Sequence, residues 1–284
     1  MSVKPLDQTA VNGMLKEREK ASHKGVFGSL LCLVGSDRYR GAATLAARGA
    51  LMCGAGLIAV ASSEKALAAV AANMPEAILF DTKSDLAAAL VFAKKSTAMV
   101  IGCGLTDALE TESLVSRFIM KSDCPLVIDA DGINMLCSNI ELLKELKGQQ
   151  VILTPHIGEF SRLTGKTADE IMKDRAGAAR DYAREHSLCV VLKSDRTVVA
   201  FANGEAFENT LGNSGLAKGG SGDLLSGIIG SIAAMGYGVK EAALLGVFIH
   251  SRAADLCAEL MPKHSMSPCA VAEFIPTAIS ELLP

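Results

Sequence analysis

Short apolar segments alternate with longer stretches of helical periodicity along most of the chain. The apolar segments contain almost no polar positions, which is typical of strands that are covered on both faces. The predicted strands are Ser29–Val34, Leu57–Ala61, Ala98–Ile101, Leu126–Ile128, Val151–Leu153 and Cys189–Leu192. The predicted helices are Ala42–Cys53, Asp107–Lys121, Thr167–Glu185 and Val239–Glu259. This alternation predicts a mostly parallel α/β sheet with helices on both faces.

One local pattern departs from the alternation. Two β-prone segments, Thr197–Phe201 and Glu205–Glu208, flank Ala202-Asn203-Gly204, and Asn-Gly is typical of a tight hairpin. We therefore expect antiparallel strands near the end of the sheet. No repeat or long linker interrupts the pattern, so we predict a single domain over residues 1–284, in which residues 1–22 form a helical or extended lead-in.

Composition narrows the class of protein. The chain carries a net charge of -3, and aromatic residues make up 4% with no Trp, so neither a basic surface nor a base-stacking platform for nucleic acid is expected. The N-terminus is polar and no apolar stretch is long enough to span a membrane, which predicts a cytoplasmic protein without a membrane anchor. The eight cysteines show no C-x-x-C spacing, which favours buried thiols over zinc or disulfides.

The most informative stretch is the glycine-rich segment that ends in a carboxylate and opens a helix. It reads Asn213-Ser214-Gly215-Leu216-Ala217-Lys218-Gly219-Gly220-Ser221-Gly222-Asp223. Backbone amides in such a turn, together with the free amides and positive dipole end of the following helix, make a site for an anion such as phosphate. The alternative is a tight turn in which Asp223 only caps the helix, but a cap does not require so many glycines.

Asp223 is not placed there for phosphate affinity, because a carboxylate repels phosphate. We interpret it as the group that handles a substrate hydroxyl. A helix N-terminus stabilises the ionised form, so we expect the pKa of Asp223 to be low.

Polar or small residues follow five of the predicted strands. In open α/β sheets the ligand lies beyond the carboxyl ends of the strands, so these positions predict one crevice. They are Gly35-Ser36-Asp37, Gly102-Cys103-Gly104, Asp129-Ala130-Asp131, Thr154-Pro155-His156 and Lys193-Ser194-Asp195.

The sequence does not match other nucleotide-binding motifs or the hydrolase motif. Gly102-x-Gly104 has Asp107 where a dinucleotide fingerprint needs glycine, and Gly165-Lys166-Thr167 lacks the earlier glycine of a P-loop. No G-x-S-x-G elbow is present. The histidines have no metal-ligand spacing, and we interpret His250 as a core residue with its polar atoms satisfied.

The chain resembles the ADP/ATP-dependent NAD(P)H-hydrate dehydratases of the ribokinase-like superfamily from about His23 to Leu256. The resemblance rests on His23-Lys24-Gly25, Gly35-Ser36-Asp37, Gly41-Ala42-Ala43, Leu153-Thr154-Pro155-His156-x-Gly158-Glu159-Phe160 and Ala217-Lys218-Gly219-Gly220-Ser221-Gly222-Asp223. It implies a three-layer sandwich and a carbon–oxygen lyase. The substrate would be the S-form of hydrated NADH or NADPH (NADHX or NADPHX). The terminal phosphoryl group of ADP or ATP would pass to the ring hydroxyl, and phosphate would then be eliminated. It further implies a homotetramer and, since no N-terminal epimerase domain is expected here, a separate epimerase. Mg²⁺ is expected because the charge of the phosphoryl groups has to be neutralised.

The same resemblance implies roles for individual residues. Asp223 would be catalytic, and Ala42, Gly104, His156 and Asp223 would contact the hydrated dinucleotide. Lys193, Ser194, Asp195, Arg196, Thr197 and Gly222 would contact the nucleotide, and Gly219, Gly220, Ser221 and Gly222 would form the anion hole. Glu159 and Asn213 are candidates for supporting a metal–phosphate cluster. From the residues alone, Lys193 could equally be a solvated strand end and His156 part of a turn.

Three departures from the family pattern affect the residue roles that the resemblance implies. Ile157 and Cys103 stand where the family often has proline. Ser194-Asp195-Arg196 replaces the Lys-Gly pair with which the nucleotide-binding segment usually starts in the family. Arg196 could add a phosphate contact or Asp195 could oppose one, so the sequence leaves the preference between ADP and ATP open.

Two other functions fit the same loop. A ribokinase-like kinase of a small molecule, such as a vitamin precursor, would use the same carboxylate and release a stable phosphorylated product. A non-catalytic nucleotide-binding module would be expected to lack Asp223. The Thr154-Pro155-His156 segment and the His23-Lys24-Gly25 entry favour the dehydratase.

Overall fold

The computed structural model describes residues 2–106, 109–121, 123–139, 142, 146 and 150–283. Within these residues the strands are β1 Lys4–Leu6, β2 Ser29–Leu33, β3 Leu57–Ser62, β4 Ile78–Asp81, β5 Ala98–Ile101, β6 Leu126–Ile128, β7 Val151–Leu153, β8 Cys189–Leu192, β9 Val198–Ala200 and β10 Ala206–Asn209. They form one sheet in the order β1-β10-β9-β8-β7-β6-β5-β2-β3-β4. Neighbouring strands are parallel, except that β9 runs antiparallel to both β8 and β10.

The described helices connect these strands and extend beyond the last one. They are α1 Gln8–Val11, α2 Arg40–Cys53, α3 Glu64–Asn73, α4 Leu86–Lys95, α5 Leu109–Met120, α6 Asp131–Ser138, α7 Ile157–Thr164, α8 Ala168–Lys173, α9 Arg175–His186, α10 Ser221–Ala234, α11 Val239–Leu260, α12 Pro268–Ala272 and α13 Ile275–Ser280. Short 3₁₀ turns lie at Lys24–Phe27, Ser214–Leu216 and Lys263–Ser265.

The sheet buries both of its faces, because successive side chains along a strand point to opposite sides. Leu30 and Cys32 of β2 belong to a core under α2, α10 and α11. Leu31 and Leu33 of the same strand belong to a second core on the other face, under α4, α5 and α9. Two helical layers therefore enclose the sheet, and the expected three-layer α/β architecture is confirmed.

Helix α10, which carries Asp223, packs on α2 through small residues. A Cβ atom on Gly227 would overlap the carbonyl oxygen of Ala46, and one on Gly49 would overlap that of Leu224. The Ser231 hydroxyl donates a hydrogen bond to the Ala50 carbonyl at 2.9 Å. These contacts let the two backbones approach closely, which fixes α10 and therefore the start of its first turn.

Most of the predicted elements are confirmed, and four strands match the prediction at both ends. The hairpin is also confirmed as β9 and β10. The prediction of one helix over Thr167–Glu185 is wrong, because Asp174 adopts an extended conformation and its side chain accepts a hydrogen bond from the Gly177 amide at 2.8 Å, which starts α9. Asp107, the predicted start of α5, lies outside the described residues.

The N-terminal lead-in contains both extended and helical structure. Lys4–Leu6 adds β1 to the edge of the sheet beside β10, and Asp7 caps the short helix α1. Five of the eight cysteines are buried, while Cys269 is exposed. None of the helices in the described part of the chain is both long and apolar enough to cross a membrane.

Candidate active site

The glycine-rich segment forms a compact turn that leads into the first turn of α10. Gly220 has φ +97°, in the left-handed region, where a side chain would be strained. A Cβ atom there would also overlap Leu45. Glycine at this position lets the chain reverse immediately before Ser221, so the amides of the loop and of the helix start come together.

Several of these amides are free to bind an anion. The described residues offer no hydrogen-bond acceptor to the amides of Gly219, Gly220, Gly222 and Asp223. The Ser221 amide differs from the prediction, because it donates to the Lys218 carbonyl at 3.2 Å. The cradle of free amides, as we call these four groups, therefore includes Asp223 itself in place of Ser221.

Asp223 is half-buried beside this cradle, and the expectation of a low pKa is wrong. Burial and, after it, the neighbouring carboxylate of Asp129 raise its pKa from the ordinary 3.8 to about 6, against the opposing charge of Lys193. Loss of hydration outweighs the helix N-terminus, which acts only through partial charges. At neutral pH this carboxylate is ionised and is a stronger base than an exposed aspartate.

Asp129 and Lys193 form a buried ion pair next to the cradle. The Lys193 Nζ atom lies 2.6 Å from Asp129 Oδ1, and the side chains are 20% and 1% exposed. Burial alone would keep Asp129 protonated, but the ammonium group holds its pKa below the usual range. The pKa of Lys193 is correspondingly raised, since Asp129 more than offsets the effect of burial. Both groups are therefore charged at neutral pH.

Lys193 also lies against the cradle. A Cβ atom built on Gly222 would stand 3.2 Å from Lys193 Nζ and 3.7 Å from Asp129 Oδ2. A side chain at Gly222 would thus press on the ion pair. The structure brings together the predicted residues Asp223, Gly222 and Lys193, and it adds Asp129 and Cys103 to them.

The residues after Lys193 form the tight connection between β8 and β9. The Ser194 hydroxyl donates to the Arg196 carbonyl at 2.7 Å, and the Thr197 hydroxyl donates to the Ser194 carbonyl at 3.5 Å. Asp195 pairs with Arg175 at 2.9 Å, so its charge is partly compensated within the fold. Arg196 is 61% exposed and lies 3.6 Å from Glu208, which leaves its guanidinium accessible to solvent.

His156 and Glu159 cap the start of α7. The His156 Nδ1 atom accepts hydrogen bonds from the Gly158 and Glu159 amides at 2.9 and 3.2 Å, and the Glu159 carboxylate accepts one from the His156 amide at 2.8 Å. A parallel bridge pairs His156 with Lys193, so the two lie side by side at the end of the sheet. The His156 ring is 55% exposed, and its Nε2 atom lies 3.3 Å from Glu159 Oε1.

Gly104 and Ala42 lie together at the neighbouring strand ends. A Cβ atom on Gly104 would stand 2.8 Å from that of Ala42 and 2.7 Å from that of Tyr39, so this gap accepts only glycine. The Gly35 amide donates to the Cys103 carbonyl at 2.7 Å, which joins the loops after β2 and β5. These contacts place Gly104 and Ala42 on the side of the crevice formed by β2 and β5.

The donor set around Asp223 does not fit Mg²⁺. One ligand atom each of Cys103, Asp129 and Asp223 lies within 4.8 Å of the others. Mg²⁺ prefers oxygen ligands in octahedral geometry, whereas this set contains a thiol, and Asp129 already binds an ammonium group. The candidates from the sequence are engaged elsewhere: Glu159 in its cap, and Asn213 in hydrogen bonds with Asp255 and the Gly215 amide.

His250 is buried on α11 near the cradle. Burial and the positive charge of Lys193, opposed by the Ser221 backbone, lower its pKa to about 4, so the imidazole is neutral at ordinary pH. Its Nε2 atom has no hydrogen-bond partner within the described structure, which corrects the expectation of a fully satisfied core histidine.

A cavity of about 660 Å³ lies elsewhere in the molecule. Its lining includes Phe27, Met235 and Tyr237. Met235 follows the last residue of α10, about 18 Å along the helix axis from Asp223 at 1.5 Å per residue. This cavity is therefore separate from the candidate active site.

The sequence predicted that Asp129 lies in the crevice, but it indicated no role for this carboxylate. The position was noted only as a strand end, and no local motif links it to Lys193, 64 residues later. The sequence did contain one signal for this role. Asp129 directly follows a strand that has no polar residues, and a carboxylate at the end of such a buried strand is itself buried unless the chain turns outward.

Comparison with known proteins agrees with this geometry. Residues 30–277 match the family model described as NAD(P)H-hydrate dehydratase. The ADP-dependent (S)-NAD(P)H-hydrate dehydratase of Bacillus subtilis is 34% identical over 266 residues, covering 94% of each chain. The bifunctional NAD(P)H-hydrate repair enzyme of Moorella thermoacetica is 35% identical over 277 residues, and the chain spans only 52% of its length.

Solved structures give the same result. The ADP/ATP-dependent NAD(P)H-hydrate dehydratase from Bacillus subtilis, co-crystallised with ATP/Mg²⁺, superposes with a TM-score of 0.87 at 31% identity and covers 99% of both chains. A ribokinase-like superfamily protein from Enterococcus faecalis, at 24% identity, has a TM-score of 0.89 over 99% of this chain and 96% of its own, which supports the fold. By sequence and by structure, the chain belongs to the NAD(P)H-hydrate dehydratase family, with a ribokinase-like fold.

Proposed function

We propose that the protein converts the S-form of hydrated NADH or NADPH back to NAD(P)H at the expense of ADP or ATP. The single observation that carries this proposal is the position of Asp223. Its carboxylate stands beside a cradle of free amides, at the start of α10, and is more basic than an exposed aspartate. A base next to an anion site is what transfer of a phosphoryl group to a hydroxyl requires.

The first step would be phosphoryl transfer. The ring hydroxyl of the hydrated nicotinamide loses its proton to the Asp223 carboxylate, while its oxygen forms a bond to the terminal phosphorus of the nucleotide. The bond between that phosphorus and its bridging oxygen breaks, and AMP leaves when ADP is the donor, or ADP when ATP is the donor. The cradle amides would bind the equatorial oxygens of the moving group, where charge is spread in the transition state.

The second step would be elimination. The ring carbon–oxygen bond breaks and its electron pair leaves with inorganic phosphate, which is a far better leaving group than hydroxide. The adjacent ring carbon then loses a proton to water, which restores the double bond of the reduced nicotinamide. Phosphorylation thus provides the driving force for a dehydration that hydroxide loss alone would make slow.

The raised pKa of Asp223 suits the first step. A general base works best when its pKa lies near the operating pH, because it is then both ionised and able to hold the proton. A value of about 6 meets this condition better than the ordinary 3.8. The half-buried setting that raises the pKa also keeps bulk water away from the reacting oxygen.

Lys193 is the cation best placed for the nucleotide phosphates. Its ammonium group lies at Gly222, where the resemblance places a nucleotide contact. The turn formed by Ser194, Asp195, Arg196 and Thr197 would line the nucleotide side of the crevice, with the exposed Arg196 accessible to the phosphates. Since the described residues do not form a Mg²⁺ site, any Mg²⁺ would enter with the phosphates of the nucleotide.

Ala42, Gly104 and His156 would contact the hydrated dinucleotide. Gly104 leaves a narrow gap beside the Cβ atoms of Ala42 and Tyr39, next to the loop after β2, and the His156 ring is accessible beside Lys193. A flat ring could approach the backbone along this gap. We further propose a homotetramer and cooperation with a separate epimerase, both of which rest on the family resemblance.

The test is an assay of the purified protein with hydrated NADH and either ADP or ATP. We expect the absorbance of the reduced nicotinamide to recover with one donor or both, with release of one phosphate for each NADH formed. Recovery with neither donor would refute the proposal. A stable phosphorylated product formed from a vitamin precursor, without recovery of NADH, would instead indicate the kinase alternative.

A matched variant connects this activity to the site. Asp223→Ala should reduce turnover by about 10²–10⁴, the usual contribution of a general base. Its unfolding should remain cooperative, because Asp223 makes no contact on which the core depends. Val91→Ala, on α4, where the residue is 58% exposed and away from the site, serves as a control that should retain turnover.

A further inference from the structure

Asp129 is a buried carboxylate, directly after β6, to which the proposed reaction assigns no part. Its Oδ1 atom accepts hydrogen bonds from Lys193 Nζ at 2.6 Å and from the Ala130 amide at 2.9 Å. Its Oδ2 atom accepts one from the Ser226 hydroxyl at 2.8 Å and lies 3.7 Å from the Cys103 thiol. Both oxygens are therefore held from four directions, and the carboxylate has a single orientation.

The backbone beside Asp129 is strained to achieve this. Ala130 has φ +47° and ψ −115°, a conformation that is rare for a residue with a side chain. It turns the Ala130 amide toward Asp129 Oδ1. Strain of this kind persists only where the surrounding structure enforces it, and it is concentrated at functional sites.

A buried ion pair is a weak reason for stability, because apolar residues of similar volume often serve as well. Its position in this fold suggests a different role. Asp129 directly follows β6 and is close to both charged groups: its Oδ1 atom lies 2.6 Å from Lys193 Nζ, and one of its oxygens lies within 4.8 Å of an Asp223 oxygen. Without Asp129, the Lys193 ammonium would lose its hydrogen-bonded anion beside the positive end of α10, and the charge of Glu159, which also acts on Lys193, would remain without a hydrogen bond to it.

The charges that face Asp223 come from several elements. Asp129 follows β6 and Asp131 opens α6, and both are negative; Lys193 follows β8 and is positive; the Cys103 thiol follows β5. From α11, His250 faces Lys193 and is neutral. The α2 residues packed on α10, Ala46 and Gly49, carry no charge. Asp129 is therefore the strongest negative charge that acts on Asp223, and it also neutralises Lys193, the only opposing one among these groups.

We infer that Asp129 is a positioning residue for phosphoryl transfer, which holds the Lys193 ammonium at the cradle and keeps Asp223 ready to accept the hydroxyl proton. The inference rests on the proposed function, since it concerns the same reacting groups. Asp129 itself touches neither the phosphoryl group nor the hydroxyl. It acts through its hydrogen bond to Lys193 and through its charge on Asp223.

The test is the pH profile of kcat for Asp129→Asn, measured with ADP and hydrated NADH. The wild type should lose activity below about pH 6 as Asp223 becomes protonated. In the variant this acid limb should move to lower pH, because the unpaired Lys193 now favours ionised Asp223. We expect kcat to fall by about 10², the effect of misplacing a group by roughly 1 Å. An acid limb unmoved from that of the wild type would overturn the inference.

Ser226→Ala is the matched control. It removes a different hydrogen bond to Asp129 without changing any charge, so its acid limb should coincide with that of the wild type. If Ser226→Ala moved the limb as far as Asp129→Asn, packing rather than charge would be responsible and the inference would fail.

Two further measurements keep the result independent of folding and of the proposed reaction. Should Asp129→Asn not fold, Asp129→Asn/Lys193→Met removes both charges of the buried ion pair; we expect it to fold with kcat reduced by about 10², and wild-type kcat would overturn the inference. The carboxyl resonance of Asp223, followed by NMR in carbon-13-labelled protein and assigned with Asp223→Asn, needs no turnover. Its midpoint should be lower in Asp129→Asn than in the wild type, and equal midpoints would refute the positioning role even in an inactive enzyme.

Discussion

Replacing Asp223 by asparagine should make the protein inactive and more stable at the same time. The carboxylate is half-buried, and its pKa is raised from 3.8 to about 6 in the folded chain. The folded state therefore binds this proton more tightly than the unfolded state does. The stability linked to Asp223 is fully present below about pH 4 and is lost as the pH rises through 6.

The magnitude follows from the same two values. A difference between 3.8 and about 6 corresponds to about 3 kcal/mol of destabilisation by the ionised carboxylate above pH 7. Partial exposure to solvent reduces this amount, so we expect a gain of about 1–3 kcal/mol for Asp223→Asn at pH 7.5. For a chain of this size, that gain raises the Tm by about 2–8 °C.

The assay is thermal unfolding of wild type and Asp223→Asn between pH 4 and pH 8, with turnover measured on the same preparations. The difference in Tm should be small near pH 4 and grow through pH 6, because only the wild type acquires the buried charge. Turnover should fall by about 10²–10⁴. A variant that melts at or below the wild-type temperature at pH 7.5 would refute the assigned pKa.

Two other predictions concern the scaffold. Gly227→Ala should lower the free energy of unfolding by about 1–3 kcal/mol in urea titrations, because its Cβ would overlap the Ala46 carbonyl oxygen; a stability equal to that of the wild type would show that α2 and α10 can separate without cost. Glu205 binds both Lys240 and Lys4, at 2.7 and 2.8 Å, and hydrogen bonds from these groups lower its pKa to about 2. Its stabilising effect is thus present above pH 4.5 and is lost as the pH falls toward 2. After allowance for solvent screening, Glu205→Gln should cost about 1 kcal/mol at pH 7 and less at pH 3 in urea titrations at each pH, and a cost that does not depend on pH would contradict the ion pairs.

The sequence predicted the central strands well because their environment is simple. Ala98–Ile101 and Cys189–Leu192 are buried on both faces, so the strand coincides with the apolar segment. The edge strand Ile78–Asp81 was not predicted, since it is only partly buried and ends in a charged residue. Helix α6 was also missed, because it begins directly after the strained Ala130 with no loop to mark it.

The site was predictable where it is local and not where it depends on the fold. The turn before Asp223 is formed by consecutive residues, so a local sequence motif indicates both the turn and the amide cradle. The ion pair of Asp129 and Lys193 joins residues from two strand ends, so no spacing along the chain indicates it. The pKa of Asp223 has the opposite direction from the local prediction, because burial and Asp129 are properties of the assembled structure.

The measurement that tests the central claim most directly is the fate of the hydroxyl oxygen. Hydrated NADH labelled with oxygen-18 in the ring hydroxyl would be converted with unlabelled ADP or ATP in unlabelled water. If Asp223 directs that oxygen onto phosphorus, each phosphate released carries one labelled oxygen and the water carries none. Label in the water and unlabelled phosphate would mean that the hydroxyl leaves without being phosphorylated, and the account given for Asp223 and the cradle would be wrong.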